Sequence, residues 1–479
     1  MSLLQTKPLD RIVAEADAGE HHLKRSLGPG NLIALGIGAI IGAGLFSLTG
    51  IAAAENAGPA VVFSFIIAAI ACAFAGMCYS EFATMIPIAG SAYTYAYATM
   101  GELLAWIIGW DLVLEYAVGA ATVSVSWSSY VVKLLQSFGI PLPSNLVHCP
   151  WDITPGWINL PAVFIIFMVS ILLMIGISES ARANASIVIV KVTIVVIVIC
   201  VGYSYIHPEN YTPFIPPNTG VFGEFGWSGI FRAAGVIFFA YIGFDAVSTA
   251  AQEARQPKRD MPIGIIGSLV ICTVLYVLFA RVLTGMVKYT TFKGDASPVT
   301  TVIHLFPSQA LQIAIQIGII AGYTSVILVM LLGQSRVFYS MSRDGLLPSV
   351  FSQIHPKWQT PYRCNIIFMF FVSLFSGFLP ISKLGNMTSI GTLLAFVIVC
   401  IGVIVMRKTN PNAPRPYRTP FVPAVPILGV IVCLSMMVSL DVETWYRLVI
   451  WLAIGLAIFF GYSRSHSHLS RDMLAGKRL

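Results

Sequence analysis

The sequence predicts an all-α integral membrane protein with twelve transmembrane helices, of which the first ten form two inverted repeats of five. Three observations predict this class. Of the 479 residues, 57% are hydrophobic and 10% are charged, whereas a soluble domain carries about 25% charged residues. Apolar runs of about 20 residues, which is the length that crosses a bilayer, recur along the whole chain. Two of these runs, in corresponding halves, contain residues that favour a break in the helix.

We interpret twelve apolar runs as spans, with the approximate limits 31–51, 59–86, 101–132, 158–177, 185–206, 228–251, 263–287, 310–335, 365–380, 387–406, 424–440 and 446–463. An even number of spans places both termini on one side of the membrane. If that side is the cytoplasm, the inner segments hold 20 Lys and Arg residues and the outer segments hold 5. Because cytoplasmic loops are enriched in Lys and Arg, we expect both termini in the cytoplasm.

The spans divide the chain into four parts. We expect a cytoplasmic N-terminal segment (1–30), a ten-helix transport core (31–406), helices 11 and 12 with the cytoplasmic loop before them (407–463), and a cytoplasmic tail (464–479). The net charge of +7 follows from the inner loops, so its expected partner is the anionic lipid headgroup and not nucleic acid. The eight cysteines show neither a disulfide framework nor the spacing of metal ligands. No cofactor is implied.

The first span contains four glycines between positions 36 and 46. Glycine costs about 1 kcal/mol relative to alanine in a helix interior, so the helix is expected to break at 42–44. The alternative is close helix packing, because Gly38 and Gly42 fit a pattern of small residues four apart. A second interruption at 238–245, halfway along the chain, favours the break.

A broken span exposes backbone groups that can bind a ligand. The N–H groups at the start of a half-helix suit a carboxylate, and unwound carbonyls suit an ammonium group. An α-amino acid carries both groups on one carbon. We expect the substrate to bind at Gly42, Ala43 and Gly44, with its carboxylate at the amides of Ala43 and Gly44. Four carbonyls beside the breaks are expected to accept from its ammonium group: Ile40, Phe239, Ala240 and Ile242.

Three side chains inside apolar runs are further candidates. Lys191 lies in the middle of the fifth span, where an ionisable group is costly, and it could load and release a proton in each cycle. The alternative is a permanently charged ammonium bonded to carbonyls of the first span. Glu115 in the third span is a candidate pocket wall or proton relay, or else a structural carboxylate. Met330 in the eighth span is a candidate pocket wall, or else packing filler.

Several motifs resemble those of a known family. Gly-Ala-Gly-Leu-Phe at 42–46 resembles a signature of the amino acid–polyamine–organocation superfamily. Other strings are similar to the cationic amino acid transporter family within it: Gly109-Trp-Asp-Leu-Val-Leu-Glu-Tyr, Phe238-Phe-Ala-Tyr-Ile-Gly-Phe-Asp-Ala-Val-Ser-Thr-Ala, Gln252-Glu-Ala-Arg-Gln-Pro-Lys-Arg-Asp-Met-Pro, Ser342-Arg-Asp-Gly-Leu-Leu-Pro and Pro416-Tyr-Arg-Thr-Pro-Phe-Val-Pro. The resemblance covers nearly the whole chain.

The resemblance implies the LeuT fold of five-plus-five inverted repeats, with substrate held by the backbone of spans 1 and 6. In proton-coupled bacterial relatives a lysine of span 5 takes the place of a sodium ion, and Lys191 matches it. Its amine is then expected near the carbonyls of Gly38 and Ile41. The family also places a glutamate of span 3 and a methionine of span 8 beside the pocket, which Glu115 and Met330 match. Twelve spans suit the bacterial members, which implies the bacterial cytoplasmic membrane.

These observations together predict a proton-coupled importer of L-amino acids that works by alternating access. Because Met330 would crowd a long cationic side chain, we expect small neutral substrates such as alanine. A uniporter or exchanger of arginine, lysine or ornithine is the nearest alternative, and a sensor or channel on the same scaffold is another. The sequence shows no nucleophile paired with a general base that would suggest an enzyme. Besides substrate, proton and membrane lipid, a sterol or a small accessory peptide remains an open partner.

Overall fold

The computed structural model describes residues 6–8, 27–86, 91–176, 181–249, 254–469 and 471. In this part of the chain the regular structure is entirely helical, and an isolated bridge joins Leu27 to Ala254. Seven helical stretches of the described residues are long and apolar enough to cross a membrane, and four shorter apolar helices accompany them. The all-α class and its membrane character are therefore confirmed.

We number the helices in chain order and leave short 3₁₀ turns unnumbered. The first half contains α1 (Pro29–Ile40), α2 (44–57), α3 (Val61–Met85), α4 (Ser91–Thr99), α5 (Glu102–Ser137), α6 (Leu160–Met174) and α7 (Ala181–Tyr203). The second half contains α8 (Gly226–Ile237), α9 (Ala246–Thr249), α10 (Pro257–Met286), α11 (Pro298–Ile303), α12 (Gln309–Arg343), α13 (Tyr362–Phe378), α14 (Ile381–Thr409), α15 (Ala424–Ser439) and α16 (Val442–His466).

A glycine turn separates two helices that would otherwise form one stretch of 42 residues. Gly58 has a φ of 60°, which only glycine adopts at little cost, and Pro59 follows it. The chain changes direction there, between α2 and α3. The number of long apolar stretches therefore does not equal the number of membrane crossings. The total of twelve spans stays a prediction.

Several helices extend beyond the expected spans, and one short helix is additional. Helix α12 continues to Arg343, eight residues beyond the approximate limit of 335 that we give to the eighth span. Gly345, with a φ of 81°, follows that end, and a basic side chain in the last turn suits a helix C-terminus. Helix α4 was not expected from the sequence. Its tyrosines are buried, and Tyr93 donates a hydrogen bond of 2.7 Å to Asp344, so tertiary packing stabilises this short helix.

Helix α10 packs along both α1 and α3, while α12 packs along α5 and α14 along α15. Small residues allow these close approaches. A Cβ atom added at Gly36 of α1 would lie 2.6 Å from the Cβ of Ser268, and one at Gly264 of α10 would lie 2.7 Å from the Cβ of Leu32. Gly36 thus serves helix packing, the role that the sequence left as an alternative for Gly38 and Gly42.

An ion network holds the loop between α14 and α15 against the end of α3. The Glu81 carboxylate, which is 1% exposed, lies 2.8 Å from Arg407 Nη2 and 3.3 Å from Arg415 Nε. It also accepts a hydrogen bond of 2.8 Å from the Thr419 amide. The motif at 416–423 therefore has a structural environment that is separate from the two helix breaks.

Candidate functional site

The first break separates α1 from α2. Helix α1 ends at Ile40, and Ile41 has an extended conformation with a ψ of 106°. The Gly42 carbonyl accepts hydrogen bonds from the amides of Leu45 and Phe46, each at 3.2 Å, which starts the winding of α2. The first N–H groups of a helix have no carbonyl partner within that helix, so those near Gly44 are available to a ligand. The interruption lies at 41–42, at the beginning of the region 42–44 where the glycines predict it.

The second break follows α8. A 3₁₀ turn, Phe238–Tyr241, leads into Ile242, which is extended with a ψ of 136°. Gly243 then adopts a φ of 116°, a conformation that L side chains rarely accept. Helix α9 begins at Ala246. The carbonyls of this segment leave the regular helical pattern, as the sequence predicts.

The two breaks lie against each other. A Cβ added at Gly44 would overlap the backbone of Ala240, with its nitrogen at 2.6 Å. In the opposite direction, a Cβ at Gly243 would lie 2.8 Å from the carbonyl carbon of Ala39. Each break therefore requires a glycine where the other approaches. Segments about 200 residues apart in sequence bring their freed peptide groups into one place.

Tyr276 of α10 connects both breaks. Its hydroxyl lies 3.0 Å from the Ile40 carbonyl and 2.9 Å from the Ala240 carbonyl. The single hydroxyl proton can be donated to one carbonyl at a time, so the pair retains acceptor capacity. Our sequence reasoning missed this residue. The available signal was a tyrosine within an apolar helix, since a buried hydroxyl usually has a hydrogen-bond partner.

Lys191 of α7 reaches the first break. Its Nζ donates a hydrogen bond of 2.7 Å to the Gly38 carbonyl, and its side chain is buried with 1% exposure. The carbonyl belongs to the last turn of α1, immediately before the chain unwinds. An ammonium and a helix C-terminus attract each other, because the carbonyls there carry the negative end of the helix dipole. The lysine therefore contacts the same element that would hold the substrate.

Three buried acidic side chains lie on α5 and directly after the second break. Glu115 and Asp111 of α5 are each 1% exposed, and Glu115 belongs to a π-helical turn, Leu114–Val118. Among the described residues the Asp111 carboxylate has no hydrogen-bond partner. Asp245, which follows the second break, accepts a hydrogen bond of 2.8 Å from Tyr116. These contacts connect α5 with the segment between α8 and α9.

Helix α12 contributes two side chains. Met330 is 6% exposed, and its sulfur would lie 3.2 Å from a Cβ added at Gly119 of α5. Val326, one turn earlier, would lie 3.4 Å from a Cβ at Gly42. Val326 was not predicted, and valine in an apolar span gives no distinguishing signal. Met330 thus lies between α12 and α5, and Val326 lies at the first break.

The remaining predicted residues are also buried. Ala43 and Ala240 are fully buried, and Phe239 is 4% exposed. On the α2 side, the Tyr130 hydroxyl donates a hydrogen bond of 2.7 Å to the Phe46 carbonyl, and the hydroxyls of Ser47 and Tyr323 lie 3.0 Å apart. This arrangement covers the breaks from one side.

Comparison with known proteins identifies the family of this chain. A sequence profile described as amino acid permease matches residues 27–460. The branched-chain amino acid permease BcaP of Bacillus subtilis is 44% identical over 98% of this chain and 99% of its own length. A methylthioribose transporter of the same organism is 42% identical over 98% of this chain and its full length. Cationic amino acid transporter 4 of Arabidopsis thaliana, a vacuolar protein, is 37% identical over 86% of this chain and 68% of its own length.

These relatives are transporters and not enzymes, and their similarity extends over nearly the whole chain. They agree with the motifs at 42–46 and 238–250, which resemble the cationic amino acid transporter family. Together with the apolar helices, they indicate a multi-pass protein located in a membrane. The chain belongs to the amino acid permease family.

Proposed function

We propose that this permease imports L-amino acids with neutral side chains, driven by protons, through alternating access. One observation carries the proposal: two helix breaks pack directly against each other, with Gly44 beside Ala240 and Gly243 beside Ala39. Backbone polar groups freed inside a membrane are tolerated only around a polar cavity or a ligand. A zwitterion uses both the donors and the acceptors that such breaks supply.

The substrate carboxylate is proposed to bind the amides of Ala43 and Gly44, at the positive end of α2. The substrate ammonium is proposed to bind carbonyls near the breaks, namely Ile40, Phe239, Ala240 and Ile242. The Tyr276 hydroxyl between the carbonyls of Ile40 and Ala240 supports this assignment, because a hydrogen-bond donor already occupies that position. Glu115 and Met330 are proposed to line the pocket for the substrate side chain.

Lys191 is proposed to carry the coupled proton, with the carbonyls of Gly38 and Ile41 as partners. The contact of 2.7 Å to Gly38 supports this role, since the state of the amine directly affects the end of α1. A protonated amine stabilises the carbonyl end of α1, and a neutral amine stabilises it less. Alternation between the two states would therefore change the stability of the first break.

Lys191→Ala tests this role. We expect the variant to bind and exchange substrate but to lose accumulation driven by a pH gradient, because no amine remains to take up the proton. The measurement is uptake of a labelled amino acid into proteoliposomes with and without the gradient. Lys293→Ala, which removes an exposed lysine, is the matched control and should behave as wild type. Full gradient-driven accumulation by Lys191→Ala would exclude the proposed coupling.

The architecture we propose has twelve spans, a LeuT-type core at 31–406, two further helices within 407–463, and cytoplasmic segments at 1–30 and 464–479. Both termini would lie in the cytoplasm of a bacterial cell. Two helix breaks in corresponding halves support the inverted repeat. The excess of Lys and Arg in the proposed inner loops supports the orientation and contact with anionic lipid. A sterol or accessory peptide is an additional partner to test.

The substrate is proposed to be a neutral aliphatic amino acid. The bacterial relatives described as branched-chain amino acid permeases support valine, leucine and isoleucine beside the alanine that Met330 suggests. Competition for uptake of labelled alanine and leucine in proteoliposomes tests the range. We expect neutral aliphatic amino acids to compete, and arginine, lysine and methylthioribose to compete weakly.

The same vesicles separate the alternatives. Strong competition by arginine would indicate a cationic amino acid carrier, and uptake that requires internal substrate would indicate an exchanger. Binding without flux would indicate a sensor, while flux that does not saturate would indicate a channel. Stronger competition by methylthioribose than by any amino acid would replace the zwitterion proposal.

A further inference from the structure

Lys191 passes directly over the backbone of α12 on its way to the first break. A Cβ added at Gly322 would lie 3.0 Å from Cε of Lys191, 3.2 Å from Cγ and 3.6 Å from Cδ. Carbon atoms in ordinary van der Waals contact are separated by about 3.5 Å or more. The lysine stem therefore occupies the space that any other residue at position 322 would need.

The end of this stem has little freedom. Lys191 is 1% exposed, and its Nζ contacts the Gly38 carbonyl at 2.7 Å, a short distance typical of a charge-assisted hydrogen bond. Helix α12 thus supports the stem on one side while α1 accepts the hydrogen bond at its tip. Movement of the stem by a few tenths of an ångström would lengthen that bond.

We propose that Gly322 is a positioning residue for Lys191. Because Gly322 has no side chain, the lysine stem can follow the path that brings its ammonium to α1. This inference rests on the proposed role of Lys191 in proton coupling. Gly322 does not contact the proton or the substrate. It acts through the path of the lysine side chain.

The electrostatic surroundings leave few other groups to explain a pH effect. Helix α1 carries no titratable side chain. On α10, the Cys272 thiol interacts electrostatically with Lys191, and the Tyr276 hydroxyl binds the break carbonyls. On α12, the Tyr323 hydroxyl lies 3.0 Å from the Ser47 hydroxyl.

Gly322→Ala is the direct test. The added methyl group displaces a flexible stem and not a backbone, so we expect the protein to fold and to exchange substrate. The weakened hydrogen bond to Gly38 should favour the neutral amine. Half-maximal uptake should therefore require a proton concentration about three- to tenfold higher than in the wild type. The measurement is the pH profile of gradient-driven uptake in proteoliposomes, with counterflow exchange and thermal stability as checks on folding.

Gly318→Ala is the matched control. Gly318 lies one turn earlier on the same helix and faces the same α7, but its Cβ would meet Ile194 and Val190 instead of a lysine. If the pH profile depends only on the spacing of α7 and α12, both variants will shift it. If it depends on Lys191, only the change at position 322 will do so. Gly322→Ser supplies a second substitution with the same Cβ.

The double variant Lys191→Ala with Gly322→Ala completes the cycle. Because Lys191→Ala is expected to lose gradient-driven uptake, the double variant is compared with Lys191→Ala by counterflow exchange over the same pH range. We expect the two to behave alike, since the added methyl group has no lysine stem to displace. An unshifted profile of gradient-driven uptake in both substitutions at position 322, an equal shift in Gly318→Ala, or an effect of Gly322→Ala on exchange in the absence of the lysine would overturn the inference. Gradient-driven uptake by Lys191→Ala alone would instead refute the coupling role itself, so the two failures are distinguishable.

Discussion

Gly42 and Gly44, two residues apart at the first break, make different contributions. A Cβ at Gly44 would overlap the backbone of Ala240, which cannot move without displacing the second break. The atoms nearest to a Cβ at Gly42 would belong to Val326, the first at 3.4 Å, which is an ordinary contact. We therefore expect Gly44→Ala to reduce transport by at least about tenfold, equivalent to about 1.4 kcal/mol. Gly42→Ala should retain most activity.

Uptake measured at equal amounts of folded protein checks this expectation. Because the two substitutions add the same methyl group two residues apart, loss of helix flexibility would affect both. Similar activity of the two variants would mean that the contact with Ala240 does not limit transport.

Residue types explain what the sequence could reveal at this scale. Gly44 and Lys191 are conspicuous because glycine and lysine are costly inside a membrane helix. Tyr276 and Val326 are ordinary members of apolar helices, and they become significant only when the fold brings them to the breaks. Asp111 was visible as a charge, but its lack of hydrogen-bond partners within the described residues required coordinates.

At the scale of elements, an ion pair fastens the loop at 288–308 to α5. Lys133 Nζ lies 2.8 Å from Asp295 Oδ1, and Asp295 also accepts hydrogen bonds from Ser297 and Thr301. The loop packs onto α2 as well, since a Cβ at Gly50 would meet Pro298 at 2.6 Å. One short segment thus joins two helices on the same side of the breaks as Tyr130.

The ion pair between Lys133 and Asp295 predicts a pH dependence of stability. Burial alone would raise the pKa of Asp295, but the Lys133 ammonium and the hydrogen bonds outweigh it and lower the pKa below its ordinary 3.8. A lowered pKa means that the stabilisation is complete above pH 3.8 and is lost as the pH falls through the folded value. Asp295→Asn should therefore cost about 1 kcal/mol at pH 7, after allowance for partial solvent exposure.

Thermal unfolding of the purified protein at several pH values is the measurement. The difference between wild type and Asp295→Asn should be constant from pH 7 to pH 5 and should narrow in more acidic buffer. Glu443→Gln, in an exposed pair with Arg447, is the control and should change little. A difference that widens on acidification would contradict the assigned sign.

Helix limits show where sequence reasoning ends at this scale. Apolar runs located most helices within a few residues, because membrane burial requires them. They could not reveal α4, whose tyrosines are stabilised by contacts with distant residues such as Asp344. They also could not show that α12 extends past its apolar part to Arg343.

At the scale of the whole molecule, the prediction of twelve crossings depends on how shorter helices are counted. The turn at Gly58 divides one long stretch, and four apolar helices are below the usual length of a span. Orientation rests on a separate property, the unequal distribution of Lys and Arg among the loops. Neither argument uses the helix breaks, so topology can be tested independently of transport.

Cysteine labelling in intact cells provides that test. Lys357 lies in the loop between α12 and α13, and Glu443 lies at the start of α16. Three helices, α13, α14 and α15, separate these exposed residues, so the proposed topology places them on opposite sides. An impermeant maleimide should label Glu443→Cys in intact cells, and Lys357→Cys only after permeabilisation.

The native cysteines should give little background. Seven of the eight are buried, and Cys200 can be replaced by serine. Cys149 lies in a proposed outer loop, where burial and then the Asp152 carboxylate raise the pKa of its thiol to about 11. Since the thiolate is the reactive form, this thiol should remain unlabelled at neutral pH. Labelling of both introduced cysteines from the same side would require an even number of crossings between them, which the proposed arrangement of helices cannot provide.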